Sequence, residues 1–254
     1  MTNTHPRSTS KRARLGAAAG RVGLIIGLIC GAAALLAGPG YRVGLLSLSD
    51  GLQAIRWAAS GAIAGAVMAL LALFLLSLVG APRRLSGAAA ALALNALVAG
   101  PPLYMYWQVQ HLPHIHDVST DTDEPPSFVA LVPIREGARN PIDYRSETAV
   151  QQKRGYPDIA PLRLDATPAQ AFGRAERAAR AMGWEIVAVS PNDLRIEATD
   201  TTLLFGFKDD VVIRVRPQAQ GSIIDMRSLS RVGGSDFGVN AKRIRAFLHK
   251  VTTD

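Results

Sequence analysis

LFGFKDDVVIRVRPQAQGSIIDMRSLSRVGGSDFGVNAKRI, residues 204 to 244, holds an alternating apolar pattern, a turn and a helix start in one run. Val211, Ile213 and Val215 recur at every second position, and Ile224 and Met226 do the same beyond the turn, as expected of two half-buried antiparallel strands. Matching the aliphatic faces predicts that Val211, Ile213 and Val215 lie opposite Met226, Ile224 and Ser222, around a four-residue loop from Pro217 to Gln220. That register places Asp210 opposite Arg227 on the outer face, as an exposed pair, and turns Asp209 toward the packed face or its rim. Gly233-Gly234 then turns the chain. Ser235 or Asp236 caps a final helix whose buried stripe is Phe237, Ile244, Phe247, Leu248 and Val251.

Working upstream, Thr167-Pro168 pairs a hydroxyl cap with a first-turn proline, and opens a helix that buries Phe172, Ala175, Ala179 and Met182 and stops at Gly183. Trp184 to Ser190 and Leu194 to Thr199 alternate across Ser190-Pro191-Asn192-Asp193 and read as a hairpin. Leu203 to Phe207 is a further short strand or the start of the next. The order helix, strands, helix predicts an α+β domain, an antiparallel sheet with helices packed on it, over residues 127–254.

The first half of the chain has a different character. Three apolar runs, about residues 22–38, 57–79 and 85–107, predict a membrane domain over 22–107, behind a basic, disordered cytoplasmic tail at 1–21. The second run has no charge at all. In the third, Gly100-Pro101-Pro102 is expected to kink the helix or end it near Ala99, and Tyr104, Tyr106 and Trp107 suit the headgroup belt. Small residues recur at four-residue spacing as Gly16/Gly20, Gly23/Gly27/Gly31 and Gly61/Gly65, which would let the first two helices approach closely; abundant glycine in membrane helices is the plainer explanation. Cys30, the single cysteine, lies in the first run and supports no disulfide framework.

Charge separates the halves further. Residues 1–116 carry nine Lys/Arg and one acid, while residues 117–254 carry nineteen of each. A surplus confined to the flanks of apolar runs marks topology and anionic lipid, not nucleic acid. The basic tail and the Arg83-Arg84 connection belong in the cytoplasm. Three spans then put the C-terminal domain outside, in the periplasm of a bacterial inner-membrane protein.

Residues 108–126 form a linker without periodicity. His114, His116, Asp117, Asp121 and Asp123, with His111 and Glu124, are the densest set of possible metal ligands, although their spacing matches neither a zinc signature nor a calcium loop. The alternative is a polar loop whose Asp, Ser and Thr side chains bind their own backbone. A second candidate site joins Arg227, Arg231, Gly233, Gly234, Ser235 and Asn240, where two arginines four apart on a strand meet a glycine turn and a helix start suited to an anion such as a lipid phosphate. Against it, Asp236 already serves those amides, Arg227 has Asp210 and Arg231 has Asp236 as partners.

The stretches FGFKDDV at 205–211 and RSLSRVGGSDFGVNAKRI at 227–244 resemble the domain of unknown function 1499 (DUF1499) family, as do HDVSTDTDEPPSF at 116–128 and YPDIAPL at 156–162. The resemblance spans about residues 114–251. Shorter members of the family have a cysteine-containing stretch in this region that is absent here. The resemblance implies no reaction and no cofactor.

No nucleophile elbow, phosphate loop or dinucleotide fingerprint is present, and Asp209 and Asp210, as strand neighbours, point to opposite faces and are poorly placed to share a proton, so a strand-end salt bridge is the favoured reading over a catalytic pair. Two functions remain. One is a membrane-held, non-catalytic binding or interaction domain, with membrane lipid or an unidentified protein as partner. The other is a metal-dependent hydrolase working at the lipid surface through the His/Asp cluster.

Overall fold

The computed structural model describes residues 6–253. They form two compact units, Met1–Trp107 and Gln108–Asp254. The first five residues of the expected tail lie outside the described part; from Pro6 onward the tail is helical.

The first unit holds α1 (Pro6–Arg42), α2 (Leu48–Leu78) and most of α3 (Pro82–His111). All three are long and apolar enough to cross a membrane, over Lys11–Arg42, Leu48–Leu78 and Pro82–His111. Ser47 and Asp50 cap α2 reciprocally, each side chain bonding the other's backbone N–H. The expected end of the third helix near Ala99 is not seen. Helix α3 continues through Pro101 and Pro102 to His111.

The glycines at four-residue spacing are contact points. A Cβ on Gly23 would lie 2.8 Å from the Gly65 carbonyl oxygen, and one on Gly61 would lie 2.5 Å from Cys30 Sγ, so Cys30 faces a helix. Into this seam α3 inserts the fully buried Asn95, whose Nδ2 donates to the carbonyls of Gly23 at 2.9 Å and Ala91 at 2.8 Å. Its Oδ1 has no partner among the described residues and sits where a Gly65 methyl would fall, 2.3 Å away.

In the second unit the chain builds β1 (Asp117–Ser119), α4 (Ser146–Gly155), β2 (Leu162–Leu164), α5 (Pro168–Ala181), β3 (Glu185–Ser190), β4 (Arg195–Thr201), β5 (Lys208–Pro217), β6 (Ser222–Ser230) and α6 (Val239–Thr253). The sheet is antiparallel in the order β1-β6-β5-β4-β3, with β2 also on the outer edge of β6. The expected linker thus supplies a strand. Leu203–Phe207 is a turn between β4 and β5, with the rings of Phe205 and Phe207 stacked 5.1 Å apart.

One sheet face packs on α5 and α6. Ile196, Ala198, Val211, Ile213, Val215, Ile224 and Met226 meet Phe172, Ala175, Ile244 and Phe247, and Trp184 stacks on Phe247 at 5.7 Å. Thr167 caps α5 in a reciprocal box with Gln170, and Gly183 leaves it at φ +77°. Phe237, expected on the final helix, instead lies in the turn before it with φ +53°.

The central hairpin differs from the expected register by two residues. Val211 faces Ser228, Ile213 faces Met226 and Val215 faces Ile224, so Asp210 lies opposite Leu229 and Arg227 opposite Val212. A shift of two keeps every side chain on its expected face, which is why face matching alone cannot detect it. The turn falls one residue later, with Pro217 opposite Ser222 and Gln218 N–H donating to the Gly221 carbonyl.

Gly65→Ala is expected to lower the thermal stability of the detergent-solubilised protein by about 1–3 kcal/mol through overpacking against Asn95. Gly87→Ala, where a Cβ meets nothing within 4 Å, should leave it unchanged or raised. Equal melting temperatures for Gly65→Ala and the wild type would contradict the Asn95 seam.

Candidate functional site

The sheet face opposite the helices is not open to solvent. Residues 120–145, almost without regular structure, lie across it as a strap and place Phe128 and Leu131 on Val212 and Leu229. Such a segment has no ladder to satisfy its backbone, so side chains must do so. Glu197, fully buried in the middle of β4, accepts from the N–H groups of Val129, Ala130 and Leu131 at 2.9–3.0 Å and pairs with Arg195 at 3.1 Å.

Asp210 anchors the next part of the strap. Its buried carboxylate takes Arg135 from the strap, Arg231 from the end of β6 at 2.8 Å through both Nε and Nη2, and the Thr199 hydroxyl at 2.7 Å. Burial alone would raise its pKa. The hydrogen bonds from Arg231 and Thr199 and the charges of Arg231 and Arg135 outweigh burial and hold it below 3.8. The Nε of Arg135 remains without a partner among the described residues.

Beside it, Arg227 donates through Nε and Nη2 to Asp117 of β1 at 3.0 and 2.7 Å and to the Ile142 carbonyl at 2.6 Å. Its guanidinium lies 5.2 Å from the Phe128 ring centre and 5.3 Å from that of Tyr144. Burial raises the Asp117 pKa despite this partner. At the far end of the face, Asp225 and Asp121 share Arg214 and Arg216.

On the helix side, Asp209 pairs with Arg243 of α6 at 2.6 Å, and Arg243 also reaches Asp200 at 2.8 Å. Asn240 links Ser228 and Ser230 of β6 to the His116 carbonyl. Asp236 starts α6 by accepting from Gly238 and Asn240 N–H at 3.0 and 2.6 Å, and burial raises its pKa.

The ligand candidates Arg227, Arg231, Gly233, Gly234, Ser235 and Asn240 are therefore neighbours, but they are occupied with one another's surroundings. The expected Asp210–Arg227 pair is replaced by Asp210–Arg231 and Asp117–Arg227, and Arg231 does not use Asp236. Asn140 reaches across to the carbonyls of Ser230 and Gly233 at 2.9 Å. Gly234 packs near His114 and its carbonyl lies 3.5 Å from His116 Nδ1.

The metal candidates are not brought to one centre. Asp117 is on Arg227, Asp121 is on Arg214 and Arg216, and Asp123 is at the surface with Lys153 at 2.9 Å. Asp121 Oδ1 also accepts from the Asp123 and Glu124 N–H groups, and Ser119 Oγ donates to the Asp121 carbonyl, the geometry of a loop that binds its own backbone. Among the described residues no three His, Cys, Asp or Glu side chains are grouped to hold a metal.

Sequence reasoning did not single out Glu197, Arg135, Asp225 or Arg243. The first had a signal: a carboxylate between Ile196 and Ala198 in a strand with one apolar face must point to the other face.

The model of the family described as protein of unknown function (DUF1499) matches residues 117–251. The chain belongs to the DUF1499 family. A search among curated proteins found no match. The matched region starts at Asp117, the partner of Arg227, and ends at Val251, the last buried residue of α6, so it takes in the whole paired network.

Asp210→Asn is expected to cost about 3–5 kcal/mol at pH 7, because Arg135 and Arg231 lose their counter-charge inside the protein. The carboxylate's pKa is depressed on folding, so its contribution is full above 3.8 and is lost as pH falls through the lower folded value. Asp117 and Asp236, raised by burial, act in the opposite sense, and comparing variant with wild type cancels them. Denaturant melts should therefore show a gap that is constant near neutrality and narrows on acidification below 3.8; a gap independent of pH would contradict the pairing.

Proposed function

We propose that this is an integral protein of the bacterial inner membrane whose DUF1499 domain stands in the periplasm and acts by binding or positioning a partner, without catalysing a reaction. The observation that carries this reading is that each buried carboxylate among the described residues of the domain holds an arginine or a backbone amide, with Asp225 Oδ1 the one carboxylate oxygen left buried without a partner. Asp117, Glu197, Asp209, Asp210 and Asp225 hold arginines, and Glu197 and Asp236 hold backbone amides. A general base or nucleophile needs a group that can reach a substrate proton or atom from a cleft, and these carboxylates are spent on structure.

The hydrolase alternative would require Asp117 to leave Arg227 and Asp121 to leave two arginines before either could ligate a metal. Surface character supports the binding reading. The strap exposes Val129, Val132 and Ile134, and the β4–β5 turn exposes Leu203 and Leu204. Orientation rests on the basic residues before the first span and at Arg83-Arg84, opposed to an acidic stretch after the third.

Alkaline phosphatase fused after Asp254 should be active and a GFP fusion there dark; the reverse pattern would put the domain in the cytoplasm. Metal analysis of the purified full-length protein should find no stoichiometric divalent ion, and one ion per chain would return the hydrolase reading to first place.

A further inference from the structure

The first unit contains a cavity of about 570 Å³ between the start of α1 and the start of α3, lined by Arg14, Arg21, Arg83 and Arg84 above a floor that includes Gly16 and Gly20. Arg14 and Arg21 are seven apart, two turns of one helix face about 10 Å long. Arg83 and Arg84 stand in the first turn of α3, which has no acidic residue. That is the positive end of the helix dipole, where cations are disfavoured unless an anion joins them. The unit offers none. The only acid before Asp117 is Asp50, which is committed to the cap of α2 at the opposite end of that helix from its junction with α3. Arg84 makes one long bond, 3.5 Å to the Ala13 carbonyl, and none of the four arginines has an ion-pair partner among the described residues.

We propose that this cavity binds a phosphate-bearing anion, the headgroup of an acidic membrane lipid. Four guanidiniums supply paired donors matched to phosphate oxygens, and α3 adds the field of its N-terminus. The small residues of the floor leave room beneath the charges for the glycerol and the first acyl carbons, next to the apolar side chain of Leu24. Basic pockets between membrane helices suit such headgroups because the ligand is already concentrated in the bilayer. The inference stands apart from the periplasmic reading, since it concerns only the helices and holds for either orientation.

The test uses the full-length protein in a neutral detergent, titrated with phosphatidylglycerol, phosphatidylcholine or inorganic phosphate, with lipid adducts counted by native mass spectrometry and stability followed by thermal shift. Phosphatidylglycerol should bind and raise the melting temperature, and phosphatidylcholine should not. Arg83→Gln/Arg84→Gln and Arg14→Gln/Arg21→Gln should each weaken binding, by about fivefold for every arginine removed. Glutamine keeps the helices, and Arg56→Gln, away from the cavity, should bind as the wild type does. Inorganic phosphate matching the lipid's effect would support the anion chemistry and assign the site to a soluble phosphate. Equal binding by wild type and both double variants, or an equal loss in Arg56→Gln, would overturn the proposal.

Discussion

An antiparallel sheet can leave one face to water, but this one has both faces covered, and one cover is a strap with no ladder of its own. Its attachment depends on carboxylates that rise from the sheet into its underside. Glu197 gathers three consecutive amides, and Asp210 gathers one arginine from the strap and Arg231, the residue just after β6. A buried charge is tolerable only when its counter-charge and hydrogen bonds are present together, so strap and sheet order each other. The helix side uses the same device once, where Arg243 ties α6 to Asp209 and Asp200.

This arrangement gives the family's sequence pattern a physical reading. Asp209 and Asp210 are adjacent because one serves each face of the sheet. Arg227 and Arg231 share a face because each answers a carboxylate there, from β1 and β5 respectively. Ser228, Ser230 and Asn240 stitch β6 to α6, and Asp236 starts that helix. Residues of the type that make an anion site on paper are here the fasteners of the domain.

The α+β architecture, the bounds of α5 and the sidedness of the hairpin were legible because periodicity and caps are local signals. Val211, Ile213 and Val215 fall on the helix side as their alternation requires. The register was not legible, since a shift of two leaves alternation unchanged, and it moved Asp210 from Arg227 to Leu229. The strap was not legible either. Residues 120–145 have no period, and their placement depends on contacts with Glu197 and Asp210 that are 66 to 75 residues away in sequence. In the membrane half the spans were plain from composition, whereas the insertion of Asn95 between Gly23 and Gly65 depends on which faces of three helices meet.

Hydrogen–deuterium exchange of the full-length protein carrying Glu197→Gln tests the central claim most directly. A glutamine offers one acceptor oxygen where the carboxylate offers two and adds a donor facing three N–H groups, so the strap should detach locally. The account predicts faster exchange for the amides of Val129, Ala130 and Leu131, with protection of β5, β6 and α6 retained. Unchanged protection of those three amides would contradict it.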